Sequence, residues 1–218
     1  MPLSEYIIND IKPLKVTSNI GDAQQLFNQL TYSHIPIKKD DIYIGCLSET
    51  DAHCFDSDKT ITDYLYTLEG FFVRRSTLWL DVLEAFAQKD TNIMPVLGDN
   101  NQYLGYYELN DIIAMFNQTP FFAEPGGILI VEKVYNDYSF SEVCQIAESN
   151  NGKLLGAFIS KVENDMVQVT LKIGNTGLNE IIQSFRRYGY NIVSGHEDDT
   201  FVQNLKERSD YLNKYLNL

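Results

Sequence analysis

The residues best suited to chemistry are a hydroxyl and a carboxylate three positions apart, Ser48 and Asp51, in the run Gly45-Cys46-Leu47-Ser48-Glu49-Thr50-Asp51. That spacing opens a helix, with side-chain oxygens satisfying its first N–H groups. The same arrangement suits a bound anion, because free N–H groups and the helix dipole favour negative charge beside a hydroxyl donor. Capping and binding are compatible, and the spacing alone leaves both open. A catalytic set is harder to find. His34, His53 and His196 are scattered without metal-ligand spacing, and His53-Cys54 supplies two ligands where a structural zinc site needs four. Gly126-Gly127 is too short for a phosphate-cradling loop, and Asp40-Asp41 and Asp198-Asp199 read as turn formers. We therefore expect no catalytic residues, no metal and no enzyme activity.

Such residues must be positioned by a folded chain, and 218 residues with 44% hydrophobic and 22% charged side chains suffice for two modest domains. Lys and Arg number 17 against 30 Asp and Glu, a formal charge of -13 that disfavours nucleic acid as a partner. No apolar run approaches the roughly 18 residues of a membrane span, and the first residues lack a signal-peptide pattern. Three cysteines, Cys46, Cys54 and Cys144, form an odd set that fits a reducing compartment. The expectation is a cytoplasmic protein.

Self-comparison shows an internal repeat. Asp22, Ala23, Leu26 and Phe27 return as Asp81, Val82, Ala85 and Phe86, an offset of 81 minus 22, or 59, and Pro36 and Pro95 keep it. After one inserted residue, Ile44-Gly45 matches Leu104-Gly105 and Asp51 matches Asp111. Each copy reads as a helix from near Asp22 or Asp81, a strand around Ile35-Pro36-Ile37 or Met94-Pro95-Val96-Leu97, and a polar turn. A second strand then leads into a helix starting at Ser48 or Glu108.

With these residues the first half resembles a tandem CBS domain pair, named for cystathionine β-synthase, with repeats at about 3–58 and 59–117. The resemblance implies two pseudo-symmetric β-α repeats packed through their sheets, and clefts that hold adenosine-containing effectors such as AMP, ADP, ATP or S-adenosylmethionine. It also implies a homodimer. The motif Gly-apolar-x-Ser/Thr-x-x-Asp is complete at Gly45 to Asp51, so Ser48 would meet a phosphate and Asp51 the ribose hydroxyls. Adenine would lie between Ile35-Pro36 and the segment of Thr17. The second copy keeps Asp111 but puts Glu108 in the hydroxyl position, where a carboxylate repels phosphate. Arg74 and Arg75, before the second repeat's helix, are either phosphate neutralisers or solvated linker charges.

Beyond Phe116, the stretch 118–127 with its prolines and paired glycines reads as a linker. The remainder reads as strand Ile128 to Val134, helix Phe140 to Ser149, strands Leu154 to Val162 and Val167 to Ile173, helix Leu178 to Tyr188, and strand Tyr190 to Ser194. This βαββαβ order over 128–199 is ferredoxin-like and resembles an ACT domain, a family that binds small effectors. The turn Asn136-Asp137-Tyr138-Ser139 lacks that family's glycine, and Asp137 or Ser139 is read as a helix cap. Residues 200–218 space Phe201, Leu205, Tyr211, Leu212, Tyr215 and Leu216 as a helical tail. Overall we expect a mixed α/β and α+β regulatory protein that senses an adenosyl ligand, or a ligand-independent oligomerisation or partner-docking module.

Overall fold

The computed structural model describes residues 3–174 and 177–193. The chain divides into two compact units, Met1–Phe116 and Asn117–Leu218. The proposed tail 200–218, together with Ser194, His196 and Asp198-Asp199, lies outside the described residues.

The first unit is the repeat made visible. Its first copy runs β1 (Leu14–Lys15), α1 (Ile20–Gln29), β2 (His34–Lys39), β3 (Ile42–Ser48) and α2 (Glu49–Cys54). The second runs β4 (Val73–Arg74), α3 (Trp79–Lys89), β5 (Ile93–Leu97), β6 (Tyr103–Glu108) and α4 (Leu109–Ala114). Each builds a three-stranded sheet, in orders β1-β2-β3 and β4-β5-β6, whose first pair is parallel and whose second is an antiparallel hairpin. The short strands β1 and β4 were not legible as strands, because two residues carry no alternation.

Both long helices begin earlier than the sequence reading placed them, at Ile20 and Trp79. Asn19 holds the N-cap position of α1, and its backbone N–H donates to Asp22 Oδ2 at 3.3 Å, so Asp22 is the third helical residue and not the first. Helix α1 buries Ile20, Ala23 and Phe27 against Ile35, Ile37 and Leu47, the spacing of one apolar face. Helix α3 does the same with Val82 and Phe86 against Met94, Val96 and Leu97.

Strand β3 extends to Ser48 and β6 to Glu108, so the whole Gly45–Ser48 run is strand. Each hairpin carries one bulge at the same place: Ile37 faces Gly45 while Lys38 faces Tyr43, and Val96 faces Gly105 while Leu97 faces Tyr103. Both glycines adopt positive φ, 150° and 151°. They also meet a chain from elsewhere. Ile8 exchanges two 2.9 Å hydrogen bonds with Tyr106, and Glu69 exchanges bonds of 2.8 and 2.9 Å with Cys46. The leading segment of each repeat, before β1 or β4, therefore pairs with the last strand of the other. A Cβ on Gly105 would sit 2.3 Å from Ile8 O, and one on Gly45 would sit 3.0 Å from Leu68 Cβ.

The second unit contains α5 (Pro120–Ala123), β7 (Gly126–Val134), α6 (Phe140–Ser149), β8 (Leu154–Glu163), β9 (Met166–Gly174), α7 (Leu178–Arg187) and β10 (Asn191–Ile192). Its antiparallel sheet has the order β10-β7-β9-β8, which is the ferredoxin-like topology. Leu129, Val131, Val167, Val169 and Leu171 meet Val143, Ile146, Ile181, Ile182 and Phe185 in its core. Asn164 and Asp165, both at positive φ, turn the β8–β9 hairpin.

Two details depart from the sequence reading. The stretch 118–127 holds the helical turn α5, and β7 starts at Gly126, because Gly126 and Gly127 pair with Gly174 and Ile173. A Cβ on Gly126 would lie 2.3 Å from Ile173 O, so the glycine permits close pairing where it was read as a breaker. Among the described residues the strand expected at Tyr190 to Ser194 covers Asn191–Ile192, and Tyr190 is drawn into the core, its hydroxyl donating to Glu142 at 2.7 Å.

Candidate ligand cleft

Ser48 ends β3 and caps α2, its Oγ accepting from Asp51 N–H at 3.1 Å. The capping reading therefore holds, and it leaves the hydroxyl proton of Ser48 undirected. The Asp51 carboxylate is half-buried and has no side-chain partner among the described residues. Because α2 has six residues, few aligned peptides contribute a dipole. The chemistry on offer is one hydroxyl donor and one carboxylate acceptor a helical turn apart.

Around this pair lies the contact between the repeats. Glu49 N–H donates to Ser33 O at 2.9 Å. Ser33 and Asn92, which precede β2 and β5 at equivalent positions, bond reciprocally: Ser33 N–H to Asn92 Oδ1 at 2.9 Å and Asn92 N–H to Ser33 Oγ at 3.2 Å. Asn92 Nδ2 adds a 2.6 Å bond to Thr31 O. Ser33 Oγ also lies 2.8 Å from His34 Nδ1, and His34 Nε2 lies 3.2 Å from Glu69 Oε1. This serine, histidine and glutamate are knitted into the repeat contact, with Ser33 already bonded to Asn92 and Thr91. Sequence reading missed Ser33 and Asn92, although their offset of 92 minus 33, or 59, is that of the repeat.

The other expected residues fall in different places. Ile35 and Pro36 are buried in β2, opposite Leu47 and Cys46. Thr17 is exposed in the turn after β1. Ser48 pairs with His34 at the start of β2, whereas Val16 N–H bonds Lys38 O near its end. Four residues of strand separate those levels, about 13 Å. Thr17 and Ser48 are thus at opposite ends of β2. Arg74 is likewise remote: it pairs with Leu97 at the end of β5, while Asn92 at its other end meets the first repeat. Its guanidinium donates to Gly98 O at 2.6 Å and Asn101 Oδ1 at 2.8 Å and lies 5.0 Å from the Phe72 ring centroid. Arg75 joins it in lining a cavity of about 450 Å³ with Leu97, Gly98 and Gln102. Neither arginine is brought to Ser48.

In the second repeat, Asp111 is half-buried near the start of α4, and Glu108 N-caps that helix without a side-chain cap bond. Its carboxylate instead accepts from the Tyr32 hydroxyl. The Tyr106 hydroxyl donates to Asp10 Oδ1 at 2.5 Å. That bond holds the Asp10 carboxyl below its ordinary range, and burial pushes both phenols up. Asp10 and Tyr32 gave no signal in the sequence, because they come from outside the motif.

The remaining reactive groups are quiet. Burial pushes the Cys46 thiol up to about 12, which keeps it protonated. No group of three or more His, Cys, Asp or Glu among the described residues could hold a metal ion. Among those residues no helix is long and apolar enough to cross a membrane. In the second unit, Ser139 occupies the N-cap position of α6 without capping it, its Oγ instead lying 2.9 Å from Ser141 Oγ. Asp137 lies in the preceding 3-10 turn. The capping expected of Asp137 or Ser139 is not made.

Two equivalent βαββα units, each with its leading segment exchanged onto the other, give the first unit the fold of a CBS-type domain pair. A ferredoxin-like domain follows it. No family model matches the chain, and no curated protein matches it in sequence. Solved structures do. One is a CBS domain pair/ACT domain protein from Thermotoga maritima, 16% identical, with a TM-score of 0.49 over 53% of this chain and 96% of that one. Another is CBSX2 in complex with AMP, 18% identical, with a TM-score of 0.47 over 54% of this chain and 96% of that one. A third is the CBS domain of the bacterial CNNM/CorC family Mg2+ transporter in complex with ATP, 13% identical, with a TM-score of 0.43 over 52% and 84%.

Proposed function

We propose that this protein is a non-catalytic regulator that senses an adenosine-containing ligand, of the AMP, ATP or S-adenosylmethionine type, in the cleft of its first repeat. The observation that carries the reading is the Ser48 and Asp51 pair. A half-buried carboxylate that has no side-chain partner among the described residues stands one turn from a hydroxyl that donates to none of them, beside the Ser33–Asn92 contact of the repeats. Asp51 would accept the ribose hydroxyls and Ser48 would donate to the ligand's next polar group. Binding there would favour one arrangement of the repeats and so carry a signal. The ACT-like domain would answer or add a second effector.

A second reading is a ligand-independent oligomerisation or docking module, most simply a homodimer. One observation favours it: Leu80 on α3 and Ile113 on α4 are 55% and 47% exposed, an apolar pair on the helical face of the second repeat.

Melting the protein with AMP, ADP, ATP and S-adenosylmethionine separates the readings. A ligand at 100 times its dissociation constant adds about 2.7 kcal/mol to the native state, a rise of about 5 to 11 °C for a chain of this size. A rise confined to adenosyl compounds and lost in Asp51→Ala supports the sensor. No rise with any of them, in a protein that sediments as a stable oligomer, supports the docking module.

A further inference from the structure

Arg74 and Arg75 carry charge that the protein leaves unanswered. In a chain of formal charge -13, Lys38, Lys133, Lys153 and Lys161 are each paired with a carboxylate, whereas among the described residues neither of these arginines is. Arg74 gives two N–H donors to neutral acceptors, Gly98 O and Asn101 Oδ1, and lies over the Phe72 ring. Those contacts fix the plane of the guanidinium while leaving its charge and its remaining donors in place. Arg75 is anchored by its main chain, N–H to Leu97 O at 3.2 Å, and its side chain has no hydrogen-bond partner among the described residues.

Both arginines line one cavity of about 450 Å³, with Ser76, Gly98 and Gln102 in its wall and Asp99 at the same turn. That volume is in the range of small-molecule sites and exceeds what a lone phosphate fills. The chain around it is tied down. Arg74 N–H donates to Thr77 Oγ1 at 3.0 Å, Thr77 N–H to Arg74 O at 2.9 Å, and Gly98 N–H to Gln102 O at 2.9 Å. The first repeat is furnished differently. Leu14 opposite Ile37 corresponds to Val73 opposite Val96, so Lys15 stands for Arg74, Val16 for Arg75 and Lys38 for Leu97. Val16 packs against the core and Lys38 is held by Asp41 at 3.6 Å, so this margin of the first repeat lacks the second unanswered cation.

We propose that this cavity, at the end of β5 remote from Ser48, is a separate site that takes a phosphate-bearing small molecule. Guanidinium forks match phosphate oxygens in geometry and charge, and the Ser76 hydroxyl and the Gln102 amide add neutral donors in the same wall. Asp99 opposes such a ligand, so its removal must strengthen binding where removal of an arginine weakens it. The site stands apart from the Ser48 and Asp51 reading and does not rest on it.

The probe is inorganic pyrophosphate, titrated calorimetrically into the whole chain at about 0.15 M ionic strength, where loosely held counter-ions are screened. One pyrophosphate per chain is expected. Arg75→Gln removes a charge bonded to no described residue, so the fold should stand while affinity falls about tenfold. Asp99→Asn is expected to bind about threefold more tightly, a gain that damage to the fold cannot imitate. Asp51→Ala should bind as wild type does. Absence of binding to wild type, equal affinity in Arg75→Gln, or no gain in Asp99→Asn would overturn the site. Loss of binding in Asp51→Ala would also overturn it, by placing the phosphate at the motif. Failure of adenosyl compounds to stabilise the protein would sink the sensor reading alone.

Discussion

A carboxylate that folding has half-buried without a partner is a cost to stability, because its lost hydration is not returned by the protein. Among the described residues Asp51 is in that position, which is how a group kept for a ligand would stand. Asp51→Ala is accordingly expected to leave the melting temperature unchanged or slightly raised while removing any adenosyl ligand's stabilising effect; calorimetry beside a thermal melt checks both halves. Ser48→Ala differs, since it also removes the cap on Asp51 N–H and should lower stability by about 1 kcal/mol by denaturant unfolding. Glu142 makes a prediction in pH. Its hydrogen bond from Tyr190 and its 3.0 Å pair with Lys133 hold its carboxyl below the ordinary value of 4.5. A depressed carboxyl contributes stability that is complete above 4.5 and lost as pH falls through the lowered value. Between pH 5 and pH 3 the second unit of Glu142→Gln should therefore lose less stability than that of wild type.

Among the elements, the two hairpins with their bulges carry the sharpest test. Gly45 and Gly105 share a positive φ, but the chain behind them presses differently: a Cβ at Gly105 meets a backbone oxygen at 2.3 Å, and one at Gly45 meets a side-chain carbon at 3.0 Å. Both alanine variants should be less stable, and Gly105→Ala more so, by about 2 to 4 kcal/mol in chemical denaturation. If the two lost the same amount, crossing of the Ile8 segment would not be the reason for Gly105. The repeat contact is equally exposed to test. Asn92→Ala removes the acceptor of Ser33 N–H and a bond to Thr31 O, and should lower stability by about 2 kcal/mol. Sequence reading found both glycines as motif members without seeing that each makes room for the other repeat's leading segment.

For the whole molecule, the decisive property is that each unit encloses its own core: the first has one cluster per repeat, around Ile20 and Phe27 and around Val82 and Phe86, and the second has one around Val131, Val169, Ile181 and Phe185. What the sequence determined by itself is the repeat, the helix-hairpin-helix order within each copy, the βαββαβ order of the second half, and the Ser48 and Asp51 cap. These depend on local spacing: apolar residues three and four apart on helices, alternation along strands, and a hydroxyl three residues before a carboxylate. What only the tertiary structure decided is everything that depends on which strand lies beside which. Parallel pairing of β1 with β2 carried Thr17 to the far end from Ser48, and the β5–β6 turn captured Arg74 at Gly98 and Asn101. Exchange of the leading segments brought Asp10, 96 residues away in sequence, to Tyr106. Such contacts leave no periodic trace in the chain, because they are fixed by long-range register and not by neighbours.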